Sequence, residues 1–144
     1  MPRKRREKEK AWHRTQVFAI PIEPFNSCVT IGVNMDERQF ARALRKTMHK
    51  KTVKRVMKAI GDWNASVRCG TCARTTFVSG VGFFVLIKAH PDYFRSMVGS
   101  LVHELTHVAQ ILLRDRGVPA TQDTDEVQAY LMGHLVTEAL KRMY

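Results

Sequence analysis

His103-Glu104-Leu105-Thr106-His107 is the part of this chain best suited to chemistry. Apolar residues around it recur at helical spacing. Positions four apart on a helix differ by about 40° around the axis, so His103 and His107 point the same way, one turn apart. Two imidazoles placed like this can bind one zinc ion, and Glu104 beside them can take a proton from a zinc-bound water. A catalytic zinc usually has three protein ligands and one place for water, so a third donor must come from elsewhere. Glu126 follows His107 across a loop containing Gly117 and Pro119, long enough for the chain to reverse and start a second helix beside the first. Asp123 with Glu126 three later is also a capping-box-like pair, which gives Glu126 a purely structural use. Asp123 and Asp125 are further oxygen donors. His134 is an equally good ligand chemically, but it lies about 12 Å beyond Glu126 along a helix, too far for both to touch one ion easily.

The elements that must position these groups are legible in part. Phe94, Met97, Leu101, Leu105, Val108 and Leu112 form the apolar stripe of a motif helix opened by Pro91 and Asp92. Leu101, Val102, Leu105 and Val108 would bury most of the motif turn. A last helix is expected from about Asp123 to Arg142. Thr75 to Ala89 is the strongest strand region, β-branched and aromatic, with Gly80 and Gly82 marking a turn or bulge inside it. Val17–Ile20, closed by Pro21 and Pro24, and Cys28–Val33 are further strand candidates. Asp36 is a good N-cap for a helical stretch over 36–62, one helix or two, with Thr52 able to cap the second and Gly61 to stop it.

With 144 residues the chain fits one domain: a disordered basic tail over 1–12, then a single domain over 13–144. No apolar run reaches 18 residues, so no membrane span is expected. The basic N-terminus has no apolar segment after it to act as a secretory signal, which points to the cytoplasm. Charge is unevenly spread. Residues 1–60 hold 16 of the 24 Lys and Arg and 5 of the 13 acids, the whole net +11, while residues 61–144 are neutral. Arg38, Arg42, Arg45, Lys46, Lys50, Lys51, Lys54, Arg55 and Lys58 cover the polar face of the helical stretch. Such a segment suggests a polyanion, nucleic acid among them, and reads equally as a solvated face. Cys28, Cys69 and Cys72 are an odd set, which argues against a disulfide framework. Cys69-Gly70-Thr71-Cys72 has half the spacing of a structural zinc site with no second half, and a tight turn explains it better.

His103-Glu104-Leu105-Thr106-His107 followed by Glu126-Val127-Gln128-Ala129-Tyr130 resembles the zincin metallopeptidases of the Glu-ligand type, the gluzincins. More loosely, the chain resembles short metallopeptidases of bacterial and phage genomes. The match spans roughly residues 75–140. It implies His103, His107 and Glu126 as zinc ligands and Glu104 as general base. It also implies an α+β, zincin-like fold: a small, mostly antiparallel sheet packed on the motif helix, a second ligand-bearing helix, and a basic helical region before them. An edge strand, expected within Val81–Lys88, would pair with an extended peptide. Gluzincins often place an acidic residue four after the ligand Glu, where this chain has Tyr130. Tyr130 and His134 are candidates, by helix face alone, to hold an oxyanion, and both, His134 above all, also read as core residues with a satisfied polar tip. The function expected is a zinc-dependent hydrolase of peptide bonds, possible partners being a protein or peptide substrate and nucleic acid through residues 1–60. The competing class is a non-catalytic, zinc-stabilised module that binds nucleic acid.

Overall fold

A computed structural model describes residues 11–90 and 92–144. Four strands, β1 (Gln16–Ile22), β2 (Ser27–Val33), β3 (Ala73–Val78) and β4 (Gly82–Ile87), form one sheet in the order β1-β2-β4-β3. The two outer pairings are antiparallel and the central β2–β4 pairing is parallel. The parallel pair requires a crossover. Helices α1 (Glu37–Leu44), α2 (Lys50–Ile60) and α3 (Trp63–Arg68) lie within it, followed by β3. Helices α4 (Phe94–Asp115) and α5 (Asp125–Met143) complete the chain.

The alternation of strand side chains sorts these helices into two layers. Val29, Ile31, Val33, Phe83, Val85 and Ile87 join one core with the buried residues of α4 and α5. Phe84 and Leu86, the intervening residues of β4, join a second core with Phe40, Val53, Val56 and Trp63 from α1–α3. Strand β4 is therefore covered on both faces, so all six of its residues are buried. That is why it reads as a continuous apolar run and not as alternation. Gly32 makes close packing of the second core possible. A Cβ there would lie 2.9 Å from both Leu86 Cδ2 and Phe40 Cδ2. Gly32→Ala is expected to cost about 1–3 kcal/mol through overpacking, read as a lower urea midpoint at unchanged slope.

Several expected boundaries shift for identifiable reasons. Strand β1 runs through Pro21 instead of ending there, because β1 is an edge strand and has a side without ladder hydrogen bonds. Asp36 caps α1 through a full capping box, Gln39 N–H donating to Asp36 Oδ1 and Asp36 N–H to Gln39 Oε1. The cap of α2 is His49, whose Nδ1 accepts from Lys51 N–H; Thr52 lies inside the helix. The expected tail over 1–12 falls outside the described residues up to Lys10. Trp12, however, is buried in the core and stacks edge-on against Phe94 at 5.3 Å. No helix among the described residues is long and apolar enough to cross a membrane.

Candidate functional site

Helix α4 is anchored by Met97, Leu101, Leu105, Val108 and Leu112, all buried. With roughly 100° per residue, that stripe turns positions 103 and 107 to the opposite side. His103 and His107 are thus exposed, which corrects the expectation of a motif turn buried on most faces. Their Nε2 atoms stand 3.1 Å apart, with ring centroids 4.8 Å apart and the planes at 83°. Two nitrogens bound at 2.0–2.1 Å to a tetrahedral zinc would be about 3.3 Å apart, so the pair has the spacing of two ligands on one ion. Neither Nδ1 has a protein acceptor among the described residues, although ligand histidines usually have one.

Glu104 sits at the margin of the buried stripe, next to β3, and is only 7% exposed. Thr75 on β3 faces the same layer, because its β4 partner Val85 does. The Thr75 hydroxyl donates to Glu104 Oε2 at 2.5 Å, a short charge-assisted bond. It also lies 3.1 Å from the Glu104 carbonyl oxygen. The other carboxylate oxygen has no protein donor among the described residues and is not sealed from solvent. One oxygen is thereby held and the other left open to accept a proton. Thr75 is the partner of Glu104 that sequence reading misses, since nothing local distinguishes it from its neighbour Thr76. Thr75→Val is expected to cost about 1.5–3 kcal/mol by stripping a donor from a buried carboxylate, with Thr75→Ser recovering most of it in urea unfolding.

The expected oxygen and nitrogen donors on α5 are not gathered with the imidazoles. Among the described residues no group of three or more His, Cys, Asp and Glu side chains is close enough to hold one ion. A recess of about 470 Å³ at the α4–α5 turn is lined by Gln110, Arg114, Thr124, Asp125 and Gln128 among others, and by none of His103, His107 and Glu126. Glu126 is exposed and has no bonded partner among the described residues. Its capping use is not realised either: α5 has no side-chain cap, and Thr121 with Thr124 caps the short 3-10 turn Gln122–Thr124 before it. Tyr130, 83% exposed, and His134 lie on the outward side of α5, away from Leu131, Leu135 and Ala139, so neither is a core residue.

Strand β4 is interior, so Val81–Lys88 cannot receive a peptide edge-on; β3 is the edge strand on this side, adjacent to Glu104. The stretches of α4 and α5 on either side of their connecting turn carry little charge. Glu104 is the single charged side chain between Arg95 and Arg114, and none occurs between Glu126 and Glu138. Cys69 and Cys72 are exposed in the turn between α3 and β3, with free thiols. Burial on β2 pushes the Cys28 thiol up. No family model matches this chain, and no curated protein or solved structure matches it either.

Proposed function

We propose that this protein is a zinc-dependent metallopeptidase. The observation that supports this most directly is the 3.1 Å approach of the two exposed Nε2 atoms, one helical position away from a buried carboxylate with one oxygen tied and one open. His103 and His107 would hold the ion; the structure does not gather Glu126 with them, so as the third ligand its uncommitted carboxylate would need α5 to move toward the pair. When bound, zinc would acidify a water and polarise the substrate carbonyl.

The chain's own residues supply the rest. Glu104 takes the proton of the attacking water on its open oxygen and returns it to the leaving amine. Thr75 keeps that carboxylate aimed by holding the other oxygen. The outer side of β3, the edge strand, offers backbone groups to which an extended peptide can add as a further strand. The recess beyond Gln110 continues the His103–His107 side of α4 and offers room for a substrate side chain. A purely bracing zinc is the poorer reading. Both cores close without it, and the imidazoles lie outside them.

The test is hydrolysis of unstructured protein and quenched-peptide pools by the zinc-loaded chain. Activity is expected that disappears with chelator and returns with added zinc. A zinc-loaded, folded chain that cleaves none of these pools would overturn the reading.

A further inference from the structure

The helical layer on the other face of the sheet carries a separate feature. From Arg38 to Lys58 it holds nine basic residues, against Asp36 and Glu37 as the acids at its start. Both acids are engaged with backbone: Asp36 Oδ1 accepts from Gln39 N–H, and Glu37 Oε1 from Trp63 N–H. Arg55 donates to the Ser79 carbonyl. The other eight cations have no side-chain hydrogen bond or ion pair among the described residues, whose ion pairs all lie elsewhere. Many are like-charged neighbours at four-residue spacing, Arg38–Arg42, Lys50–Lys54 and Lys54–Lys58 among them, each pair mildly destabilising a helix. A surface meant only for solubility mixes signs; this one does not. Between α1 and α2 a groove of about 490 Å³ is lined by Arg38, Arg45, Lys50 and Lys54 over Ala41 and Met57, with Glu37, engaged by Trp63 N–H, as its one acid.

We propose that this groove and the cationic faces of α1 and α2 dock the phosphate backbone of a nucleic-acid duplex. Lys50, Lys54 and Lys58 repeat every 6 Å or so along α2. A duplex strand offers one phosphate per 3.4 Å of axis, a regular array that such a row can follow. A bilayer would need apolar side chains to insert, and Phe40, Leu44, Val53, Val56 and Ile60 are all buried against the sheet. Unpaired bases would need aromatic platforms, and the exposed faces of α1 and α2 carry none. The His103–His107 pair lies on the opposite helical layer, so a duplex held here leaves it uncovered.

The test is fluorescence anisotropy of the full chain with a labelled mixed-sequence DNA duplex of about 20 base pairs, over about 50–200 mM salt. The wild type is expected to bind with a steep salt dependence. Arg45→Ala/Lys50→Ala/Lys54→Ala should weaken binding at least tenfold and reduce the salt slope by roughly 2.7, about 0.9 for each phosphate no longer neutralised. Lys88→Ala/Arg95→Ala/Arg114→Ala removes the same charge from other surfaces and should change affinity less than about threefold. Alanine is the better helix former, so helicity should persist by circular dichroism. Arg45→Gln/Lys50→Gln/Lys54→Gln repeats the test with the aliphatic stems kept. Equal losses in the two triple-alanine variants, or no duplex binding by the wild type, would overturn the proposal. So would polyglutamate or phosphatidylserine vesicles displacing the duplex at matched charge, because the groove would then belong to an acidic protein or a membrane.

Discussion

Glu104→Gln is expected to keep bound zinc and the fold while peptide hydrolysis falls by about 10²- to 10⁴-fold, the usual contribution of a positioned general base. The substitution is nearly isosteric, and the amide oxygen can still accept from Thr75, so the buried environment of position 104 is disturbed little. What is lost is the basic oxygen that faces solvent. The measurement pairs zinc per chain with kcat on the same preparation. A zinc-loaded Glu104→Gln protein that still hydrolyses peptides at the wild-type rate would remove Glu104 from the chemistry. Thr75→Val should lower kcat in the same assay with a smaller effect, because the carboxylate remains but is no longer held.

The second large effect is on metal content. His103→Ala and His107→Ala should each weaken zinc binding by more than the 10–100-fold that follows loss of a ligand's hydrogen-bond partner. Both histidines are exposed and outside either core, so stability of the metal-free protein should change by less than about 0.5 kcal/mol. Loss of zinc without loss of fold separates a metal role from a packing role. Glu126→Ala is expected to behave in the same way. If its zinc content is unchanged, the third donor passes to Asp123, Asp125 or His134, and the same measurement on those three positions finds it.

Much of the fold can be read along the chain because the signals are local. The Asp36–Gln39 capping box, the Gly61 stop, the turn at Gly80 before Gly82 and the apolar stripe of α4 each depend on residues within one or two turns of one another. The spacing of His103 and His107 is equally local, and one helical turn brings their nitrogens together. Helix α3 is less legible, since its six residues are too few to show a period. Trp12 looks like part of a charged tail until the sheet and α4 form a surface for it.

The order of strands and the register of helices are not local properties. An apolar run such as Gly82–Ile87 announces burial, but whether it is an edge or an interior strand depends on which strands pair with it, and β2 and β3 flank it on both sides. The edge next to the motif is therefore β3, and with it comes Thr75, a partner for Glu104 from 29 residues away. In the same way the residues alone nominate Glu126, whereas its distance from His107 is decided by how α5 slides along α4, through packing of Leu131, Leu135 and Ala139. Periodicity and charge placed the histidine pair, the neighbouring Glu104 and the cationic helices. Only the tertiary packing could decide which strand stands beside Glu104, which layer carries the cations, and that no donor of α5 is gathered with the pair. Each of these depends on contacts between segments whose separation along the chain carries no information about their separation in space.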